Sequence, residues 1–422
     1  MAAARSHAPR EPMKPICTRF FPFHYGWVII ATGALVIFSC LGLARYAYAM
    51  LLPGMQAALG LSYQRLGLIG TANFSGYLAA VLVTPRLARR LRPRPLIALG
   101  LMLISLSMIA ISRCHGFVPI LCLYTLAGVG GGFANIPMMA LVTFWFRSPL
   151  RGRAAGLVLC GNGCGLIFSG ALIPLLNRCY GADGWRVGWL VLGLVSLAIA
   201  AIAALFLRNS PAGMGLEPVG RPLPASPAQL IPRERVGDGA LLVRLGLLYL
   251  LFGATFMVYG TFIVTSMIRE YGFSEARAGL YWSWVGMFSL FSGVGFGSLS
   301  DRIGRGPGLG LVFILQSAAY LLAGLQLGPG ALFLSILLYG LAVFAIPAIM
   351  TAAVGDYLGL SRAAGALATV TVFFAAGQTI GPAGAGLLGG AWGGFAPAYL
   401  LCSLLTAVAA LLALRLPPPP EG

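Results

Sequence analysis

Gly60-Leu-Ser-Tyr-Gln-Arg-Leu-Gly-Leu68 comes back later in the chain as Gly272-Phe-Ser-Glu-Ala-Arg-Ala-Gly-Leu280. Arg153-Ala-Ala-Gly156 comes back as Arg362-Ala-Ala-Gly365, and Asn135-Ile-Pro137 as Ala345-Ile-Pro347. The offset stays at about 210 residues, half the chain, and a repeat of that length means two related halves.

Both halves are built for lipid. Hydrophobic residues are 59% of the 422 and charged residues only 9%, against about 25% charge in an ordinary soluble domain. Too little polar surface exists to cover such a chain in water. The 58 glycines suit helices that pack backbone to backbone in a membrane. Apolar runs of spanning length, about 17–25 residues each, fall at 26–52, 66–84, 95–112, 117–143, 154–176, 187–207, 241–265, 279–299, 308–327, 331–354, 364–388 and 393–415. The expected fold is all-α, with 12 transmembrane helices in two pseudo-symmetric six-helix bundles. The longest polar stretch, rich in Pro from Pro211 to Pro232, lies between the bundles. The expected division is a cytoplasmic tail over 1–24, a first bundle over 25–207, a cytoplasmic linker over 208–240, a second bundle over 241–416 and a short tail over 417–422.

The net charge of +18 is a topology signal and not a nucleic-acid footprint. With the N-terminus inside, Arg86 to Arg94, Arg147 to Arg153, the linker arginines, Arg302, Arg305, Arg362 and Arg415 all fall on the cytoplasmic side. Only Arg65, Arg113, Arg178, Arg186, Arg269 and Arg277 fall on the other. The positive-inside rule then puts both termini in the cytoplasm. The first 24 residues are basic with no apolar run, so they do not read as a signal peptide. Eight cysteines show no ligand or disulfide spacing. Cys160 and Cys164 read as buried packing residues, and Cys114 and Cys179 could pair only if their loops meet. Two pseudo-symmetric bundles with a midplane site between them are the build of a secondary transporter.

Gly297-Ser-Leu-Ser-Asp301-Arg302-Ile-Gly304-Arg305, after the eighth span, resembles the G-x-x-x-D-R-x-G-R signature of the major facilitator superfamily at every defined position. The matching stretch of the first half departs from it, with Pro85 in place of the acid and Ala88 in place of the second Gly. In finer grain the chain is similar to the YbfB-type branch. The residues that carry this are Gly42-Leu-Ala-Arg45-Tyr46-Ala-Tyr48, Leu52-Pro53, Asn73-Phe-Ser-Gly76-Tyr77, Val354-Gly-Asp356-Tyr357 and Gly377-Gln378-Thr-Ile-Gly381-Pro382. Tyr25-Gly26-Trp27 and Gly184-Trp185-Arg186 also resemble the oxalate/formate and monocarboxylate porters. The resemblance implies a permease of the cell (bacterial inner) membrane, monomeric by family default. It also implies a gate at Asp301, Arg302 and Arg305, with Asp301 meeting the start of the fifth span near Arg151 and Arg153. Tyr124 and Leu166 stand where drug/proton antiporters of the superfamily carry Arg and Pro.

Arg45 is the one charge well inside a span. Guanidinium keeps its proton, and a charge at a span centre costs about 2.5–3.5 kcal/mol on insertion scales. Such a residue faces a cavity or a partner. Gly42 and Tyr48 sit at i−3 and i+3, Gly42 leaving room and Tyr48 offering a hydroxyl. Arg45 could hold a substrate carboxylate through two parallel hydrogen bonds. It could equally snorkel to the interface or bind carbonyls at a helix break. No Asp or Glu lies in the middle of a span, which leaves uniport, exchange, or symport on the substrate's own proton. Tyr259 falls one residue from Tyr48 by the repeat. With Asn135 and Gln378 it completes the candidate substrate-binding set, and Arg153 joins the gating set. Pro137 and Pro347 occupy matching places where a helix can bend.

The expected function is transport of a small organic solute, a carboxylate anion, by alternating access, with a small anionic molecule and the bilayer as partners. The alternative is efflux of apolar or drug-like compounds, with Tyr281, Trp282, Trp284 and Phe288 as an aromatic cavity. A sensor on a transporter scaffold is a third class. No enzyme is expected: Lys14 is the only lysine, His7, His24 and His115 lie outside the spans, and no motif asks for a cofactor, metal or nucleic acid.

Overall fold

Gly60 and Gly272, which open the two repeated stretches, both adopt left-handed backbone, at φ +59° and +67°. A side chain there would meet its own carbonyl, so glycine ends the preceding helix at low cost. Two residues later Ser62 and Ser274 cap the next helix, each accepting the amide of Arg65 or Arg277 at 3.3 Å. The same stop-and-start signal thus occurs once in each half, at the same place.

A computed structural model describes residues 23–88, 90–220 and 238–417. The basic tail before these, most of the Pro-rich linker, the last residues, and the side chain of Arg362 lie outside the described residues. Long helices follow in chain order: α1 (Gly26–Leu59), α2 (Tyr63–Leu87), α3 (Pro93–Ile111), α4 (Phe117–Trp145), α5 (Ser148–Tyr180) and α6 (Gly184–Phe206). The second set is α7 (Asp238–Arg269), α8 (Glu275–Ile303), α9 (Arg305–Leu325), α10 (Pro329–Leu358), α11 (Leu360–Trp392) and α12 (Ala396–Leu414). Ten runs are long and apolar enough to cross a membrane. One of these, Pro149–Phe206, folds as α5 and α6 around the 3-10 turn Gly181–Asp183. The remaining helix, α8, is as long but richer in Gly and Ser. Several helices run past the apolar stretch that marks them in sequence, because backbone hydrogen bonding continues beyond the hydrocarbon. Leu106, Leu205, Leu404 and Leu411 lie largely exposed on the outer helices, as side chains solvated by lipid do.

Contacts within the first set join α2 and α3 to α4, α3 to α6, and α1 to α5. The second set joins α7 to α11, α9 to α12, and both α8 and α9 to α10. Between the sets, α2 meets α11, α5 meets α8, and α1 meets α7. Small residues make these crossings. An added Cβ on Gly67 would meet the Pro382 carbonyl and come 3.1 Å from Gly386 Cα. Its repeat mate Gly279 meets the Gly170 carbonyl and Pro174 in the same way. Thr71 Oγ1 donates to the Thr379 carbonyl at 2.7 Å, and Asn177 Nδ2 donates to Glu275 Oε2 at 2.7 Å. One end of the molecule is therefore sealed between the halves. At the other end Arg305 pairs with Asp301 and Asp356 inside the second half, and a Cβ added at Gly156 of α5 would come no nearer α8 than 3.8 Å from Val294. The chain is sealed at the end that carries Gly60 and Gly272 and open at the end that carries Asp301 to Arg305.

Two helices depart from regular geometry. Residues 38–46 of α1 wind as π-helix, with the Ala47 amide reaching the Gly42 carbonyl five residues back at 3.1 Å. Helix α10 breaks at Val343 and Phe344, just before Pro347, which has no N–H to continue the ladder. The freed Phe344 amide donates to Ser292 Oγ of α8 at 3.1 Å. At the matching Pro137, α4 stays one helix, so the paired prolines have different consequences. The first part of the linker, through Gly220, docks on the open end of the first half. Val219 bridges to Phe146, and Glu217 pairs with Arg147 at 2.6 Å.

Candidate functional site

The π-helical turn carries Arg45. Such turns cost hydrogen-bond geometry and recur at functional sites. Among the described residues Arg45 is the only buried charged side chain, at 8% exposure. Its guanidinium carbon stands over two rings of α2, Tyr77 at 4.4 Å and Phe74 at 5.0 Å. No carboxylate pairs with it among the described residues, and its Nε is buried without an acceptor. Two cation–π contacts offset part of its desolvation, roughly 2 kcal/mol each when dry, but they leave N–H donors unused. The Tyr124 hydroxyl of α4 donates to the Arg45 carbonyl at 3.4 Å. The arrangement is a buried cation without a counter-ion among the described residues.

Asn135 of α4 joins this group, because its Nδ2 donates to Tyr77 Oη at 3.0 Å and so fixes the ring over Arg45. Its Oδ1 is left without a donor. Gln378 of α11 lies against α7 at Gly253, and both of its buried amide atoms lack a partner. Thr71 and Thr379 lock α2 to α11, so Gln378 lies at about the depth of Arg45, given 1.5 Å of rise per residue.

Tyr48 and Tyr259 are placed otherwise. The Tyr48 hydroxyl donates to the Leu66 carbonyl at 2.9 Å, and its ring packs on Tyr124. The wide π turn moves residue 48 off the face of residue 45, so helical spacing misplaces it. The Tyr259 hydroxyl bonds Ser335 Oγ at 2.7 Å, and its ring packs among Tyr320, Tyr339 and Tyr399 inside the second half. Gly42 leaves no room beside α1, since its Cβ would lie 2.8 Å from Gly165 Cα of α5. Cys164 is exposed, because Gly161 and Gly165 hold the packed face of α5, and Cys114 and Cys179 are free thiols. Tyr281 stacks on Trp284, both meet Phe333 of α10 edge-on, and Trp282 is fully buried, so these three rings pack within the second half.

Asp301 is held in its own half. Arg305 Nη1 binds Asp301 at 2.5 Å and Ser300 Oγ at 2.8 Å, while its Nε binds Asp356 at 2.6 Å. With this end open, the meeting of Asp301 with Arg151 and Arg153 is not made. Arg151 instead donates to the Phe146 carbonyl at 2.9 Å. Arg153 is exposed and lines an apolar groove of about 460 Å³ that Val294 closes from α8. Arg302 is exposed on the last turn of α8. No group of His, Cys, Asp and Glu suited to a metal occurs among the described residues.

Sequence reasoning missed Phe74 and Tyr77 as partners of Arg45, and missed the sealed end altogether. The signal for the second was present: Gly67 and Gly279 are matching members of the repeat itself. The other seal contact, Asn177 on Glu275, has no such mark. Beside it Glu270 ties α7 to α9 and α12, accepting Ser266 Oγ, Gln326 Nε2 and the Phe395 amide. Burial, with Glu270 adding, pushes the neighbouring Tyr271 hydroxyl up to about 12.

The family model described as "Uncharacterised MFS-type transporter YbfB" matches residues 37–414. A mouse protein called monocarboxylate transporter 11 is 26% identical over 401 residues, covering 90% of this chain and 84% of its own length. A probable hexose phosphate transport protein of Chlamydia pneumoniae is 27% identical over 176 residues, 42% of this chain and 38% of that protein. In fold, the chain is similar to the inward-facing, unoccupied crystal structure of a bacterial homologue of the human lysosomal transporter Spinster. The TM-score is 0.76 at 15% identity, over 92% of this chain and 96% of that one. The superfamily fold, the membrane-spanning helices and the transporter relatives make this an integral membrane protein that moves a small molecule and is not an enzyme. The chain belongs to the YbfB-type family of major facilitator superfamily transporters.

Proposed function

We propose that the protein carries a small organic anion, a carboxylate, across the membrane by alternating access, and that Arg45 binds it. The observation that carries this reading is the buried guanidinium with an unused Nε and no counter-ion. An unpaired buried cation is costly, so a site that keeps one gains from an anion that completes it. The relatives named above are called carriers of monocarboxylates and of hexose phosphate, both anions. Asn135 holds Tyr77 over Arg45, and Gln378 offers a free amide from the other half. Tyr48 and Tyr259, with their hydroxyls engaged inside their own halves, shape the site from behind.

Asp301, Arg302, Arg305 and Arg153 form the gate of the open end in this reading. When the halves rock, α8 closes on α5 and Asp301 exchanges part of its bond to Arg305 for Arg153. By the positive-inside rule the open end is cytoplasmic, with both termini there and the membrane that of the bacterial cell. Three of the four rings offered for the efflux alternative, Tyr281, Trp282 and Trp284, pack within one half, which favours the anion reading.

Thermal stabilisation of the purified protein by a panel of small carboxylates tests the reading. One carboxylate should raise the Tm of wild type and of neither Arg45→Ala nor Arg45→Lys. An equal rise in the variants, or no rise with any anion, removes Arg45 as the anchor.

A further inference from the structure

The walls around Arg45 are aromatic on both sides of the central seam. Phe74 and Tyr77 cover it from α2, and its chain neighbour Tyr46 reaches across to Phe344 of the broken α10, with centroids 6.0 Å apart. Opposite stands a ladder of nearly parallel rings between α7 and α11. Tyr249 stacks on Phe374 at 4.5 Å and 15°, and Phe252 on Phe256 at 4.5 Å and 8°. Phe252 also lies 5.6 Å from Phe374 at 10°.

The register of α2 against α11 brings this ladder to the site. The two helices run antiparallel and are joined at Thr71 and Thr379. Phe374 lies five residues before Thr379 in sequence, so it is level with Gly76 and Tyr77, five and six residues after Thr71. The stack of Tyr249 on Phe374 carries the ladder at that same level, on the α7 side of α11. Phe374 is only half-buried, so part of its ring remains to be covered.

The charge inventory limits the solute as firmly as the rings do. Arg45 is the only buried charged side chain among the described residues, and the buried polar atoms left without a partner here belong to the amides of Asn135 and Gln378. One cation with neutral amides neutralises one negative charge. A second charge on the solute would enter dry surroundings without a partner and lose affinity.

Resting on the anion reading above, we infer that the solute is a singly charged carboxylate with an aromatic ring, its carboxylate on Arg45 and its ring between Tyr77 and Phe374. Rings of the wall select an aromatic body over a saturated one of the same size, because edge-to-face and offset contacts need a quadrupole on both partners. Tyr77, held by Asn135, and Phe374 are the specificity-determining residues.

Calorimetry with matched probes tests this on the full-length purified protein. The probes are phenylacetate, cyclohexylacetate of the same charge and similar size, and the dianion phthalate. Wild type should bind phenylacetate about three- to tenfold more tightly than cyclohexylacetate, and phthalate at least about tenfold more weakly than phenylacetate. In Phe374→Leu the ratio of phenylacetate to cyclohexylacetate should fall to about one. Phe374→Tyr, which keeps the ring, should retain the preference. Equal binding of the two monoanions by wild type overturns this inference and leaves the anion site standing. So does an unaltered ratio in Phe374→Leu, which would make the ladder helix packing alone, and so does tightest binding by phthalate. Failure of all three probes to bind to a wild type that melts cooperatively overturns the inference together with the anion reading beneath it.

Discussion

Gly67→Ala should open the sealed end. The added methyl meets the Pro382 carbonyl and lies 3.1 Å from Gly386 Cα and 3.2 Å from Pro382 C. These are backbone atoms of the other half, so no side chain can swing aside. Overpacking of this kind costs about 1–3 kcal/mol, and the cost falls only on the state in which α2 and α11 touch. The equilibrium between sealed and opened forms should therefore shift by about five- to 150-fold. Gly279→Ala, which drives a methyl at the Gly170 carbonyl and 2.7 Å from Pro174 Cγ, acts on the α5–α8 seam, and the double variant should be roughly additive because the seams are separate. Spin labels at Tyr180→Cys on α5 and Trp392→Cys on α11, both well exposed, with the native cysteines replaced, read the distance between the halves by electron resonance. Wild type should give a short distance and the glycine variants a growing long-distance population. Gly100→Ala is the control. Its methyl lies 2.7 Å from the Ala134 amide, within the first half, so it should lower Tm without altering the distances. An unchanged distribution in the Gly67→Ala, Gly279→Ala double variant would refute the seam as the element that holds this end shut.

Three further outcomes follow from the same geometry. Thr71→Val, which removes the hydroxyl bonded to the Thr379 carbonyl, should shift the same distance distribution by only about 0.5–1.5 kcal/mol, less than either glycine variant. Arg305→Ala frees Asp301 and Asp356 from their shared partner, but both acids are substantially exposed, so solvent screening should hold the loss of stability to about 1 kcal/mol, read as a small fall in Tm. Glu270→Ala leaves Gln326 and the Phe395 amide just before α12 without their acceptor, and should cost about 1–3 kcal/mol, with hydrogen exchange rising first at the start of α12.

The parts that were legible in the sequence are those set by local pattern. A period near half the chain, apolar runs of spanning length and sided arginines need no tertiary contact to be read. Arg45 stood out because a charge within a span is expensive wherever its side chain goes. What surrounds it was not legible, since Tyr77 and Phe74 come from another helix and aromatic residues are common in apolar spans. Tyr48 was placed beside Arg45 by regular helical spacing, and the π turn at residues 38–46 breaks that spacing. Gly42 read as open space, but a small residue can equally admit another backbone, and Gly165 of α5 takes the room. The motif around Asp301 is legible in sequence, but the partner its acid takes is not. The open end keeps Asp301 on Arg305, four residues along its own chain.

The most direct test of Arg45 as an anion anchor is calorimetric comparison of one carboxylate with its own amide. The two differ in charge and hardly in shape. Wild type should bind the acid and not the amide, and Arg45→Gln should lose the acid's advantage while keeping a cooperative melt. Equal binding of acid and amide by wild type, or an acid preference that survives in Arg45→Gln, would show that the buried guanidinium is not where the solute's charge is read.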